Sequence, residues 1–209
     1  MRNILITGAS GGLGAAVVAA FAAPGERVLG ASHPEYDLTR PEECARAVAA
    51  MGGSLQVLVH LMGGFAGGDS VAATSDATWR RMMTLNLDAA FYMARAAVPA
   101  LTAQPGGRMV MIGSRTAVAP AANLAAYNAS KAGVVALART LALELAPLQA
   151  TCNVVLPSVI DTPANRAAVP QADWSAWVRP AAIAELIRWL ASPAAGDVNG
   201  AVVPIYGGA

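Results

Sequence analysis

The chain carries a single lysine, Lys131, and it stands four residues after Tyr127. On a helix, positions i and i+4 share a face, so this spacing sets an ammonium beside a phenol. A phenol ordinarily titrates near ~10, and a neighbouring positive charge favours its ionised form and lowers that value. Of the 14 basic residues, the other 13 are arginines. Lysine suits the task better than arginine because it is a compact point charge with three donors rather than a rigid fork. Taken alone, the two residues could equally be a surface pair with no chemistry.

A second pattern lies near the N-terminus. Thr7-Gly8-Ala9-Ser10-Gly11-Gly12-Leu13-Gly14 closes an apolar strand and opens a helix. Glycines let the backbone turn tightly and approach a pyrophosphate, and the helix N-terminus then offers free N–H groups to the anion. Many glycine-rich loops are simple turns. The strand–helix junction is the context that dinucleotide binding requires.

These residues need a scaffold, and the chain alternates short apolar strands with longer helical stretches. Strands are expected at Asn3–Thr7, Arg27–Ala31, Gln56–Leu61, Arg108–Gly113, Thr151–Leu156 and Ala201–Ile205. Helices are expected at Leu13–Phe21, Pro41–Ala50, Asp76–Leu101, Ala125–Leu145 and Ala181–Leu190. Runs such as Val57-Leu58-Val59 and Met109-Val110-Met111-Ile112 fit strands buried on both faces of a parallel sheet. The alternation implies an α/β fold, a doubly wound parallel sheet of the Rossmann type in three layers. Without repeats or linkers, residues 1–209 read as one domain. Only Ser32-His33-Pro34-Glu35-Tyr36 separates the second strand from Asp37, so a loop into a very short strand near Asp37 is expected there.

The glycine spacing is Gly-x-x-x-Gly-x-Gly, and here the chain resembles the short-chain dehydrogenase/reductase family. Gly8, Gly12 and Gly14 match its cofactor loop, and Tyr127 and Lys131 match its Tyr-x-x-x-Lys pair. Ser114 falls where that family carries a catalytic serine, and Asn86 where it carries an asparagine. Pro157 and Thr162 resemble its nicotinamide-contacting turn, and Asp37-Leu38-Thr39 its adenine contact. Asn199-Gly200 to Gly207-Gly208 is similar to its last strand and tail, so the match spans the chain.

The resemblance implies hydride transfer between a nicotinamide dinucleotide and a carbonyl or alcohol. Tyr127 would be the general acid or base. Lys131 would lower the phenol and hold the nicotinamide ribose, Ser114 would polarise the substrate oxygen, and Asn86 would hold a water leading from Lys131 to solvent. Cofactor contacts would come from Gly8, Ser10, Gly12, Leu13, Gly14, Ser32, Asp37, Leu38, Gly63, Tyr127, Lys131, Pro157, Ile160 and Thr162. Where the family usually has Asn-Asn-Ala-Gly this chain has His60-Leu61-Met62-Gly63, and Ser158 replaces the glycine after Pro157. No carboxylate occupies Ser32, where one would bind the ribose 2′-hydroxyl of NAD, so NADP(H) is favoured over NAD(H).

Two stretches are similar to dihydropteridine reductases: Gly63 to Gly68, and Leu156 to Arg166 followed by Pro170 to Trp177. They place Phe65, Trp174 and Trp177 as candidate substrate contacts, with residues 158–180 as a lid over the pocket. That subgroup keeps only the Tyr–Lys pair, whereas this chain has all four groups, so carbonyl reduction stands ahead of pterin reduction. A redox-sensing, non-catalytic dinucleotide-binding module is the alternative from a different class.

Composition bounds the rest. A net charge of +1 without basic clusters argues against nucleic acid. No run approaches the ~20 apolar residues of a membrane span, and the N-terminus does not read as a signal peptide. Two separated cysteines and two histidines give no metal-ligand cluster, so no metal is expected. A cytoplasmic location and a homodimer or homotetramer complete the expectations.

Overall fold

The apolar runs become the centre of a sheet. In the computed structural model, which describes residues 1–208, the strands are β1 (Arg2–Thr7), β2 (Glu26–Ala31), β3 (Val57–His60), β4 (Arg108–Ile112), β5 (Thr151–Pro157) and β6 (Val202–Ile205). Ala209, the last residue of the expected domain, lies outside the described residues. Every pairing is parallel, in the order β2-β1-β3-β4-β5-β6. β3, β4 and β5 are buried along their whole length, as strands covered on both faces must be.

Helices α1 (Gly12–Ala20), α2 (Pro41–Ala49), α3 (Asp76–Met82), α4 (Ala89–Leu101), α5 (Ala125–Leu145), α6 (Pro163–Ala168) and α7 (Pro180–Leu190) fill the outer layers. Pro41, Pro163 and Pro180 each occupy a first helical position, where proline's missing N–H costs nothing. One core, with Leu5, Leu58, Met93, Met109, Val134 and Leu141, lies under α2, α4 and α5. The other, with Ile4, Val17, Phe21, Val59, Val110 and Ile187, lies under α1 and α7. β1 has β2 on one side and β3 on the other, so the chain reverses its winding there. The crevice beyond the C-terminal ends of β1 and β3 is where such sheets bind ligands.

Two expectations are corrected. No strand forms near Asp37: the Tyr36 N–H turns back to the Ser32 carbonyl (3.0 Å). The Asp37 carboxylate accepts from the Thr39 N–H and hydroxyl (3.2 and 2.6 Å). This local turn satisfies the groups a ladder would have used. The helix expected over Asp76–Leu101 is interrupted by a π-helical turn at Met83–Asp88, because a side chain inside it reaches for partners outside the helix. Among the described residues no helix is long and apolar enough to cross a membrane.

Candidate active site

Tyr127 and Lys131 lie in the first two turns of α5, which rests on β4 and β5. Lys131 is buried, and its Nζ donates to the carbonyl of Ile112 at the end of β4 (3.1 Å). Burial alone pushes its pKa down to about 8. Two residues past Ile112, the buried Ser114 caps a short 3₁₀ turn, its Oγ accepting from the Thr116 N–H (3.2 Å). Burial lifts the phenol pKa of Tyr127, and the Ser114 hydroxyl acts in the opposite direction. Burial prevails, so the phenol lies above its ordinary value. The expectation that Lys131 lowers the phenol is therefore not met in the protein alone. Lys131 does not act on the phenol there, because its ammonium is turned to the Ile112 carbonyl. A phenol held protonated is suited to giving a proton.

Asn86 is buried within the π-helical turn. Its Oδ1 accepts from the Gly64 N–H (2.9 Å), and its Nδ2 donates to the Gly64 carbonyl (3.1 Å) and to Ser130 Oγ (3.0 Å). Ser130 in turn donates to the Tyr127 carbonyl (2.8 Å). A π turn widens the helix locally and is found often at functional sites. Sequence reasoning missed Ser130, although a small polar residue three positions after Tyr127 on the same helical face was a readable signal. Gly63 sits where no side chain fits: a Cβ there would lie 2.7 Å from Asn86 Oδ1 and 3.1 Å from Lys131 Nζ. Gly63→Ala is therefore expected to displace both groups and reduce kcat about tenfold or more, since misplacement of about 1 Å costs that much or more. Steady-state kinetics beside a thermal melt would check it, and unchanged kcat would refute the placement.

The glycine loop fits a dinucleotide. Gly8 has φ +67°, and its missing Cβ leaves room for the Met62 N–H, which would stand 2.9 Å away. Gly11 caps α1 without a side-chain hydrogen bond, and the first turn carries no acidic residue. The N–H groups there are left for an anion. Thr162 is buried against this loop, its Cγ2 only 2.8 Å from where a Gly12 Cβ would be. The Ser10 N–H donates to Ser32 Oγ (3.0 Å). Leu13 and Leu38 are core residues. The Asp37 carboxyl titrates below its usual range, chiefly through Thr39. Pro157 ends β5, and Ser158 replaces the usual glycine by donating its hydroxyl to the Tyr206 carbonyl (2.7 Å). Ile160 pairs with Val178 in an isolated bridge, and its carbonyl accepts from Asn165 Nδ2 (2.8 Å).

The candidate substrate residues divide. Phe65 is 63% exposed and meets the Tyr127 ring edge-on, centroids 5.0 Å apart. Its loop is pinned by the Gly68 N–H to the Asn123 carbonyl (2.8 Å). Trp174 and Trp177 lie 6.5 Å apart in a separate cleft of about 590 Å³, lined also by Asp161, Arg166, Asp173 and Arg179. Arg166 binds Asp161 through two bonds (2.5 and 2.8 Å) and stacks on Trp174 (4.7 Å). None of Asn86, Ser114, Tyr127 or Lys131 lines that cleft.

The family model described as enoyl-(acyl carrier protein) reductase matches residues 19–209. The chain belongs to the short-chain dehydrogenase/reductase family. It is 33% identical, over 99% of its length and 92% of the relative's, to the 3-oxoacyl-[acyl-carrier-protein] reductase MabA of Mycobacterium tuberculosis (strain ATCC 25618 / H37Rv). It is 32% identical, over 99% and 96%, to a cyclic-di-GMP-binding biofilm dispersal mediator protein of Escherichia coli (strain K12). A short-chain dehydrogenase/reductase structure from Mycobacterium ulcerans superposes with a TM-score of 0.92 at 26% identity, over 99% of this chain and 89% of the other. With membership comes the activity: the chain is an NAD(P)-dependent oxidoreductase acting on a C=O/CH–OH pair.

Proposed function

We propose that the chain reduces a ketone with NADPH. The observation that carries the reading is one connected network. It runs from the Tyr127 carbonyl through Ser130 to Asn86 and the Gly63–Gly64 backbone beside Lys131, with the Ser114 hydroxyl near enough to the phenol to act on its pKa. A bound nicotinamide supplies the hydride. Tyr127, kept protonated by its surroundings, gives the proton to the carbonyl oxygen. Ser114 donates to that same oxygen and holds it as charge develops. Lys131 has two N–H groups beyond the one facing Ile112, and these bind the ribose and favour the phenolate left behind. Asn86 keeps the backbone at Gly64 in place and holds the water that leads from Lys131 to solvent.

The glycine loop from Gly8 to Gly14, with Ser10, Ser32 and Thr162, holds the dinucleotide. Ser32 offers a hydroxyl where NAD enzymes offer a carboxylate, and the exposed His33 stands beside it. The substrate enters beside Phe65, under a lid formed by residues 158–180. An exposed aromatic ring against the general acid suits a carbonyl flanked by an apolar or aromatic group. A 3-oxoacyl thioester, the substrate type in the name of the mycobacterial relative, is one carbonyl of this kind.

Fluorescence titration with NADPH and NADH is the direct test, followed by turnover of aromatic ketones, an acetoacetyl thioester and a quinonoid dihydropterin. NADPH is expected to bind at least about tenfold more tightly, and Ser32→Asp to reverse the order by repelling the 2′-phosphate. Equal affinities that Ser32→Asp leaves equal would refute the NADPH assignment. Absence of binding by either dinucleotide would remove the reading of the glycine loop. Turnover of the dihydropterin but of no ketone would move the substrate class to pterins.

A further inference from the structure

His60 stands where relatives of this type usually carry an asparagine, and none of the chemistry above uses it. It is buried at the end of β3, its Nδ1 3.0 Å from Thr7 Oγ1, and its Nε2 has no hydrogen-bond partner. Thr7 is the last residue of β1 and the first of the glycine loop. Its Oγ1 already accepts from the Leu61 N–H (3.1 Å) and the Met62 N–H (3.3 Å). A hydroxyl oxygen has two lone pairs and one proton. With both lone pairs taken, the proton must point at His60, so Nδ1 accepts it and the ring carries its own hydrogen on Nε2.

That assignment gives the ring a task. The hydroxyl of Thr7 can face both amides only while a third group accepts its proton. Those amides open the turn to Gly63, which touches Asn86 and Lys131, and Met62 also backs the Gly8 turn. One hydroxyl thus fastens the dinucleotide loop to the turn that carries the catalytic lysine's neighbour, and its orientation depends on His60. The ring meets the requirement by staying neutral: burial first, and the charge of Lys131 second, hold it far below the usual histidine range, at about 3. A protonated ring would present a donor to a hydroxyl whose acceptor sites are full.

We infer that His60 is a positioning residue that orients the Thr7 hydroxyl and so holds the glycine loop in its dinucleotide-binding shape. The inference rests on the assignment of that loop to the dinucleotide. Asparagine and histidine place an acceptor at the same δ position, so Asn can replace the ring by presenting Oδ1. Leucine fills a similar volume and offers no acceptor.

The test is a double-mutant cycle read by dinucleotide affinity from fluorescence titration, with thermal melts alongside. His60→Leu is expected to weaken binding of the preferred dinucleotide by about tenfold, the loss from one disordered buried hydrogen bond. His60→Asn is expected to stay within about threefold of wild type, and His60→Leu to cost little more once Thr7→Val has removed the hydroxyl. Leu and Asn variants that weaken equally, a Leu variant that melts lower but binds normally, or a loss that persists undiminished beside Thr7→Val would each overturn it. A wild-type protein that binds no dinucleotide would instead remove the loop assignment beneath it.

Discussion

Tyr127→Phe is expected to cut turnover by about a hundredfold or more, because it removes only the proton that the carbonyl oxygen must receive, and positioned proton transfer contributes roughly 10²–10⁴. The ring remains, edge-on to Phe65 at 5.0 Å, so the site keeps its shape. Ser114 retains Thr116, whose N–H it caps. Dinucleotide affinity is therefore expected within about threefold of wild type, and the melting temperature within a few degrees for one half-buried hydrogen bond. The combination matters more than either number. A loss of kcat with binding retained marks a group acting on the reacting atoms. A relative from Escherichia coli is named for binding a nucleotide rather than for turnover, and the same variant separates the two modes. A binding module would show no turnover to lose and the same ligand response in both proteins. A Phe variant retaining more than about a tenth of wild-type kcat would remove Tyr127 from the chemistry.

The phenol is held in the form a proton donor needs. The phenol starts protonated through the neutral range, since burial lifts it above its usual value and Ser114 only partly offsets that. Reduction asks for a proton donor, and oxidation asks for a base that this environment disfavours until the phenol ionises.

Much of this was legible because the relevant signals are local. Apolar runs of three or four residues marked the buried strands, and the glycine spacing marked the strand–helix turn at the point where the winding reverses. Tyr127 and Lys131 could be paired from i and i+4 alone. What the sequence hid depends on contacts between distant segments. The π turn at Met83–Asp88 follows from Asn86 reaching Gly64 and Ser130, 22 and 44 residues away, and helical periodicity carries no trace of that. The balance of charges was misread for the same reason. Spacing set Lys131 beside Tyr127, but the depth of burial, which spacing does not report, moved both pKa values the other way from a simple pair: lysine down and phenol up. Trp174 and Trp177 were readable as a pair. That they face a cleft with Arg166 and Arg179 rather than the phenol is a matter of where a loop folds.

Lys131→Met is expected to abolish measurable turnover and at the same time stabilise the fold near neutral pH. The wild-type ammonium is buried with one carbonyl partner, and its pKa falls from 10.5 to about 8. Between those values the unfolded chain binds more protons than the folded one, so the contribution of Lys131 to stability rises with pH across that window and is smallest below about 8. A shift of this size corresponds to a penalty on the order of 3 kcal/mol below pH 8. Methionine removes that penalty and leaves the Ile112 carbonyl without its partner, at about 1 kcal/mol. The net gain should raise the melting temperature by roughly 4–8 °C at pH 7 for a chain of this length. The advantage should shrink from pH 8 upward, pass through zero between about pH 9 and 10.5 as the unfolded lysine loses its proton, and give way to the small loss at the Ile112 carbonyl above that. Paired melts of the two proteins across that range isolate the term, because every other titrating group is common to both. A variant less stable at pH 7, by an amount that does not change up to pH 10.5, would show that the ammonium is not under strain from burial. If the gain appears, it explains why one lysine persists in a chain whose other cations are arginines. The site keeps a charge that costs stability because the phenol and the ribose need a compact donor.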